Sequence, residues 1–148
     1  MLSLGRAEWQ AMKDHAEKSY PHEGCGILAG KAGEEKITAK VIPLENVKKE
    51  SKETRYLISP DDFRREDWKL REEGLEILGF FHSHPDVSCR ASEFDLAHAW
   101  PWYSYLILSV RGGKFAQAAS WVLNEDKKEF LQEEVKTKDF VEEKIGLK

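Results

Sequence analysis

The sequence lacks the long apolar runs, cysteine clusters and basic excess that mark three common classes of protein. No stretch of about 18 consecutive apolar residues is present, which argues against a membrane span. The two cysteines, Cys25 and Cys89, lie far apart and form no CxxC pair, so a structural zinc knuckle is not indicated. The formal net charge is -4 with acids and bases interleaved, whereas a nucleic-acid surface usually needs a basic patch.

Signals for secretion and for several domains are equally scarce. Residues 1–10 do not have the charged-then-apolar layout of a secretory signal, so we expect a cytoplasmic protein. Internal repeats and Pro/Ser-rich linkers are absent as well. The 148 residues therefore predict one domain over 1–148, and we expect the charged tail, 136–148, to fray.

Hydrophobic periodicity and turn residues predict alternating helices and strands. Helices are predicted over residues 3–19, 59–73 and 92–100, and the second has clear boundaries because Ser59-Pro60 matches a capped start and Gly74 an end. Loops are predicted over 44–54 and 83–91. Strands are predicted over 25–29, 36–42, 55–58, 75–82, 104–110, 114–123 and, at an edge, 129–135. This succession favours an α+β fold with a mixed, curved sheet flanked by helices.

The segment with the clearest chemistry is His82-Ser83-His84-Pro85, at the end of the predicted strand 75–82. Side chains alternate along a strand, so the two histidines point to the same side and can reach one ion. Pro85 ends the strand and leaves the pair at the rim of the sheet. Asp95, in the first turn of the next helix, can occupy a third coordination position on the ion. Two histidines and one carboxylate are a known ligand set of catalytic zinc, whose fourth position stays open for water.

Each of these residues also has a structural interpretation. An isolated His-x-His is common, and Ser92-x-x-Asp95 fits a helix capping box. His98 shares a helix face with Asp95 and is either a further ligand or a packing residue. Asp86 is a competing carboxylate, although the strand-to-helix geometry favours Asp95.

The combination resembles the motif of the JAMM (MPN+) metalloproteases. That motif is H-[S/T]-H-P followed by S-x-x-D, with ten residues between the second His and the Asp, and residues 85–94 are those ten here. The segment from Pro21 to Gly30 is similar to the family's P-x-E-x-C-G-x-L-x-G. Asn46 and the segments 56–60 and 97–105 also match, the last in the manner of the small prokaryotic branch.

The resemblance covers about residues 6–122, most of the chain. Its departures are Ala91, where the family often has Pro, and Cys89 in the same loop. Neither is in the ligand set, so they bear on the shape of the loop and on substrate fit rather than on metal binding.

The resemblance implies the JAMM/MPN fold, which is cytidine-deaminase-like, and one Zn2+ per chain held by His82, His84 and Asp95. Glu23 would be the general base that activates water and passes a proton to the leaving amine. Ser92 would stabilise the tetrahedral oxyanion. Ser83 faces away from the histidines and is expected to be structural.

The resemblance also implies a substrate class. Family members cleave amide or isopeptide bonds at the C-terminus of ubiquitin-like proteins, and a chain of 148 residues looks like the compact prokaryotic form that acts on β-grasp sulfur carriers ending in Gly-Gly, or on their conjugates. We expect the carrier tail to lie between loops 44–54 and 86–91 as an added strand. The carrier, the leaving amine (cysteine, lysine or a masking peptide) and the oligomeric state stay open.

Three other classes compete with this interpretation. A non-catalytic MPN scaffold is less favoured because all three ligands and Glu23 are present. A nucleobase deaminase would need H-x-E and P-C-x-x-C, which the sequence lacks. A redox or metal sensor would use Cys25 and Cys89, which could form a disulfide near the metal. In the alternative interpretation Cys25 is a buried free thiol and Cys89 is an unrelated exposed one.

Overall fold

Strands dominate the part of the chain that the computed structural model describes, residues 1–44, 59–126 and 128–137. The elements in chain order are β1 (Leu2–Leu4), α1 (Arg6–Ser19), β2 (Cys25–Ala32), β3 (Lys36–Leu44), α2 (Pro60–Glu72), β4 (Glu76–Pro85), α3 (Glu93–Ala97), β5 (Ser104–Arg111), β6 (Lys114–Asn124), β7 (Glu129–Glu133) and β8 (Val135–Thr137). Among these described residues, each helix is too short or too polar to cross a membrane.

The strands form one sheet in the order β7-β6-β5-β4-β2-β3-β1-β8. The pairs β4–β5, β1–β3 and β1–β8 are parallel and the other pairs antiparallel, so the sheet is mixed. Although β7 and β8 occupy opposite ends of this order, only Glu134 separates them in the chain. The amide of Leu2 donates to the Glu134 carbonyl at 2.9 Å. The two edges therefore approach each other and the sheet curves almost into a barrel, which confirms the predicted α+β fold.

Helices cover both faces of this curved sheet. Because side chains alternate along a strand, Phe81 of β4 packs with Trp9 and Met12 of α1, while Phe80 packs with Leu70 of α2 on the opposite face. Burying such large apolar side chains contributes about 1.5–3 kcal/mol each. The mid-section of β4 is consequently packed on both faces, and it leads directly into the two histidines.

Helix α2 begins and ends where the sequence predicts. The Ser59 hydroxyl accepts a hydrogen bond from the Asp62 amide at 3.0 Å, and Pro60 occupies the first turn. Gly74, with φ 77°, takes the left-handed conformation that ends the helix without steric cost. The sequence prediction for 59–73 is confirmed.

The first and third predicted helices are shorter than expected. The first two residues of the predicted helix 3–19 belong to strand β1, which lies between β3 and β8, and α1 begins only at Arg6. In the fold Leu2 and Leu4 are both buried, with the half-buried Ser3 between them, because side chains alternate along a strand. The third helix covers only Glu93–Ala97 of the predicted 92–100.

Several strand limits also differ from the prediction. Strand β2 extends to Ala32 and β3 to Leu44. The predicted loop 83–91 starts too early, because pairing with β5 continues β4 through Pro85. The predicted edge strand 129–135 splits into β7 and β8 at the two ends of the sheet. The predicted fraying from 136 is wrong for Thr137, which is buried in β8; residues 138–148, 45–54 and the predicted strand 55–58 lie outside the described residues.

Candidate metal centre

His82 and His84 lie near the C-terminal end of β4. Both histidines pair with residues of β5, and His82 also pairs with β2 on the other side. They share a face with Phe80, two residues earlier, so both imidazoles lie on the side of the sheet that carries α2 and α3. His82 is fully buried and His84 is 7% exposed. Pro85 is the last residue of the strand, which places the pair at the rim of the sheet, as predicted.

Asp95 reaches the same place from the start of α3. The Ser92 hydroxyl accepts from the Asp95 amide at 3.0 Å, and the Asp95 carboxylate accepts from the Ser92 amide at 2.8 Å. This reciprocal pair is the capping box that the sequence suggested as an alternative. The cap does not compete with a metal role, because the carboxylate that accepts the Ser92 hydrogen bond also faces the two histidines.

The three side chains converge on one point. His82 Nε2 lies 3.0 Å from one Asp95 oxygen, His84 Nε2 lies 3.3 Å from the other, and the two Nε2 atoms are 3.2 Å apart. Ligands bound to one tetrahedral ion at the usual zinc distances stand about 3.3 Å from one another. The donor set therefore fits a zinc-sized ion in both chemistry and spacing, and these atoms all lie within 4.8 Å of one another.

The electrostatics of the cluster favour the metal-binding forms of Asp95 and His82, whereas His84 holds a proton more tightly than usual. Burial acts to raise the pKa of Asp95, but the adjacent imidazoles and the Ser92 amide outweigh it and hold that pKa well below its usual range. Burial lowers the pKa of His82, so this imidazole is neutral near pH 7. Burial also opposes charge on His84, yet its contact with Asp95 raises its pKa overall. A proton on His84 is thus the one that a metal would displace.

The orientation of His84 is set by a group that the sequence analysis missed. Its Nδ1 lies 2.7 Å from the carbonyl oxygen of Ser88. A carbonyl can only accept, so Nδ1 carries a hydrogen, and Nε2 is the nitrogen that would bind a metal once it has lost its own proton. Since every residue has a carbonyl, no residue type at position 88 could have indicated this contact.

Glu23 lies beside the cluster because of the register between β2 and β4. Cys25 pairs with His82, and the Ser83 amide donates to the Gly24 carbonyl at 2.9 Å, so the register continues one step beyond the strand. Glu23 is the residue before Gly24 and His84 the residue after Ser83, so this contact brings the two close together. Glu23 is only 4% exposed, and its charge contributes to the raised pKa of His84.

The two alternative ligands, Asp86 and His98, lie elsewhere. Asp86 accepts from the Tyr20 hydroxyl at 2.6 Å and from the Gly112 amide at 2.8 Å, which ties the exit of β4 to the end of α1 and to the β5–β6 turn. Exposed His98 stacks on Phe94, with ring centroids 4.1 Å apart. Neither belongs to the group of three.

Both cysteines are buried free thiols. Cys25 Sγ contacts the Leu44 carbonyl, whereas Cys89 Sγ contacts the side chain of Gln117 on the far side of β5. The structure thus has no disulfide between them. The expectation that a free Cys89 would be exposed is wrong, because it packs in a small cluster with Ile107.

Residues 86–91 form a fixed wall beside the cluster. The Ser109 hydroxyl donates to the Val87 carbonyl at 2.6 Å, and the Trp121 indole donates to the Cys89 carbonyl at 3.1 Å. On the other side of Ser92 lies a cavity of about 250 Å³, with Leu96, Trp121 and Phe130 among its lining residues. Ser92 is shared by this cavity and the capping box.

The fold and the three converging donors define a JAB-type protein with a candidate metal centre. The family described as prokaryotic homologs of the JAB domain matches residues 6–124, and the chain belongs to it.

Curated relatives have names that describe peptidases. The chain is 33% identical over 116 residues to the desampylase of Haloferax volcanii, which covers 75% of this chain and 82% of the relative. It is 32% identical over 112 residues to the probable TtuB-protein conjugate cleaving protease of Thermus thermophilus, covering 76% and 72% of the two chains. It is 30% identical over 103 residues to the CysO-cysteine peptidase of Mycobacterium tuberculosis, covering 68% of each.

Solved structures share the fold. Protein DSY2949 from Desulfitobacterium hafniense superimposes with a TM-score of 0.82 at 30% identity, over 96% of each chain. AF2198, a JAB1/MPN domain protein from Archaeoglobus fulgidus, gives a TM-score of 0.57 at 19% identity, over 91% of this chain and 97% of its own. These comparisons confirm the predicted family, fold class and enzyme class, a peptidase of the JAMM type.

Proposed function

We propose that the protein is a zinc-dependent hydrolase that cleaves the amide or isopeptide bond at the C-terminus of ubiquitin-like or β-grasp sulfur-carrier proteins. One zinc per chain would be held by His82, His84 and Asp95. The observation that carries the proposal is the convergence of these three donors, at spacings of 3.0 to 3.3 Å, beside buried Glu23. A zinc ion held by these residues would act as a Lewis acid and would make a bound water acidic near neutral pH.

Glu23 is the proposed general acid–base. Its carboxylate accepts a proton from the attacking water and then delivers it to the nitrogen of the scissile bond, so that the C–N bond breaks to give a carboxylate and an amine. Burial within the rim of the sheet keeps bulk water from competing for this proton. The charge of Glu23 acts to raise the pKa of His84, and this supports a role next to the metal ligands.

Ser92 is proposed to stabilise the oxyanion of the tetrahedral intermediate. Its oxygen accepts the Asp95 amide hydrogen, and its own hydroxyl hydrogen can be donated outward. The residue is exposed at the mouth of the site, where a substrate carbonyl can reach it.

The substrate class follows from the relatives rather than from the site alone. One relative is named for cleaving TtuB–protein conjugates and another as a CysO-cysteine peptidase, so related chains remove different leaving groups from carrier proteins. We infer that the carrier tail runs along the fixed wall 86–91, where Val87 is 55% exposed. The other expected wall, residues 44–54, lies mostly outside the described residues.

We place the activity in the cytoplasm. Both cysteines are free thiols, the state that a reducing compartment maintains.

The proposal is tested with one β-grasp carrier ending in Gly-Gly, joined in separate substrates to cysteine, to the side chain of a protein lysine, and to a short peptide. Wild type is compared with Glu23→Gln, and the zinc content of both proteins is measured. We expect about one zinc per chain in both proteins, rapid cleavage by wild type and only a small residual rate in Glu23→Gln. The preferred substrate identifies the leaving amine. Absence of zinc from both proteins would refute the enzyme and favour the non-catalytic MPN scaffold.

A further inference from the structure

We propose that Ser83, the residue between the two histidines, is a positioning residue that holds Glu23 at the metal centre. The inference rests on the proposed function, and it concerns a side chain that points away from the metal. Ser83 is 1% exposed and lies on the face of β4 opposite to His82 and His84. A side chain in this position cannot act on substrate, so its effect must pass through its hydrogen-bond partner.

That partner is Gly24, the residue that follows Glu23. The Gly24 amide donates to Ser83 Oγ at 2.8 Å, and the Gly24 carbonyl accepts from the Ser83 amide at 2.9 Å. In a regular antiparallel pair both acceptors would be backbone carbonyls. Here the serine hydroxyl takes the place of one carbonyl. The hydrogen bond that it accepts lies at Gly24, next to Glu23 in the chain.

Packing on the other side of Gly24 leaves this segment little freedom. A Cβ at position 24 would lie 2.6 Å from Ser19 Oγ at the end of α1, so only glycine allows the approach. The Ser19 hydroxyl is itself fixed by donating to the His15 carbonyl at 2.8 Å. Gly24 is thus held between α1 and β4, and its amide is bonded to β4 through the Ser83 hydroxyl.

Loss of the hydroxyl would release the segment. In Ser83→Ala the buried Gly24 amide loses its acceptor, and a buried unsatisfied amide drives the local backbone to find another partner. Displacement of Glu23 by about 1 Å is enough to lower the rate about 100-fold when the group must meet a reacting atom. The metal ligands stay in place, because β2 and β5 pair with β4 on both sides of His82.

The kinetic test uses Ser83→Ala, Ser83→Thr and a matched control, Ser120→Ala. Ser120 is equally buried and its hydroxyl also makes one hydrogen bond, to Glu133 at 2.8 Å, but it lies on β6. We expect S83A to lower kcat about 10- to 100-fold with little change in KM or zinc content. S83T, which restores the hydroxyl, should recover the rate, and S120A should match wild type. Loss of zinc from S83A, or equal rate losses in S83A and S120A, would overturn the inference.

A double-mutant cycle isolates the route through Glu23. If Ser83 acts only by placing Glu23, adding S83A to E23Q should leave the residual rate unchanged, whereas independent effects would multiply. Multiplication of the two losses would therefore contradict the positioning role. Should S83A not fold, Ser83→Cys replaces it, because a thiol has nearly the same size but is a weak acceptor.

A measurement on the zinc-free protein keeps the test separate from the proposed function. Amide hydrogen exchange at Gly24 should be faster in S83A than in wild type and S83T, and unchanged in S120A. If no carrier is cleaved by wild type, the proposed function fails, yet this exchange rate still decides whether Ser83 holds the segment. Equal protection of Gly24 in S83A and wild type would refute the inference.

Discussion

Replacement of Ser92 by Ala separates the helix-cap role that the structure shows for this hydroxyl from the oxyanion role that we propose for it. The hydroxyl caps α3 by accepting from the Asp95 amide at 3.0 Å, and it is proposed to donate to the oxyanion. Loss of a serine cap costs about 1 kcal/mol of the free energy of unfolding. For a chain of this size that corresponds to a fall in Tm of about 2–4 °C. Loss of one oxyanion donor costs about 100- to 1,000-fold in kcat.

The chain offers a matched control in Ser59, which caps α2. Its hydroxyl accepts from the Asp62 amide at the same distance, 3.0 Å, and it lies in no part of the candidate site. Ser59→Ala should therefore reproduce the loss of stability without the loss of rate. The assay is thermal unfolding together with kcat and KM on a Gly-Gly-tailed carrier.

Zinc content completes the comparison. The Ser92 amide still donates to the Asp95 carboxylate after the substitution, because that hydrogen bond comes from the backbone. S92A should consequently retain zinc while losing rate. A kcat for S92A equal to that of S59A would refute the oxyanion role and leave Ser92 as a helix cap alone. Loss of zinc from S92A would show that the cap, rather than the donor, supports activity.

Three further predictions follow from the pKa shifts and from exposure. The pKa of His84 lies above its ordinary value in the metal-free protein. Zinc affinity, measured by competition with a chelator, should therefore be constant above that pKa and fall about tenfold per pH unit below it. A flat profile between pH 5 and 8, a range set by the ordinary histidine pKa of about 6.5, would contradict the ligand role. Burial raises the pKa of Cys25 to about 12 and also raises that of Cys89, so a thiol reagent at pH 7 should label neither in the folded protein and both after unfolding without reductant; no labelling after unfolding would reveal a disulfide. Val87→Asp should raise KM for a carrier tail and leave zinc content unchanged, and an unaltered KM would remove residues 86–91 from the substrate path.

The site was more predictable from sequence than the sheet that carries it. Two histidines two residues apart must share a face of any strand, so the pattern at His82 and His84 indicated their geometry directly. The boundaries of α2 were predictable for a similar reason, since Ser59 and Gly74 act through local backbone chemistry. Such features depend on a few neighbouring residues and not on the rest of the fold.

Features that depend on distant pairing were not predictable. The stretch Leu2–Leu4 is too short to reveal a strand by its own pattern, and only its place between β3 and β8 makes it one. Burial of Cys89 depends on packing with Ile107 of β5. The contact between Ser83 and Gly24 spans 59 positions in the chain, so no local spacing could indicate it.

The central claim is that His82, His84 and Asp95 form the zinc site, and zinc stoichiometry in two aspartate variants tests it most directly. Asp95→Asn removes the proposed charged ligand, whereas Asp86→Asn alters the nearby carboxylate that binds Tyr20 and Gly112 instead. After dialysis against a mild chelator, elemental analysis should give about one zinc per chain in wild type and D86N and almost none in D95N. Zinc retained by D95N and lost from D86N would contradict the assignment.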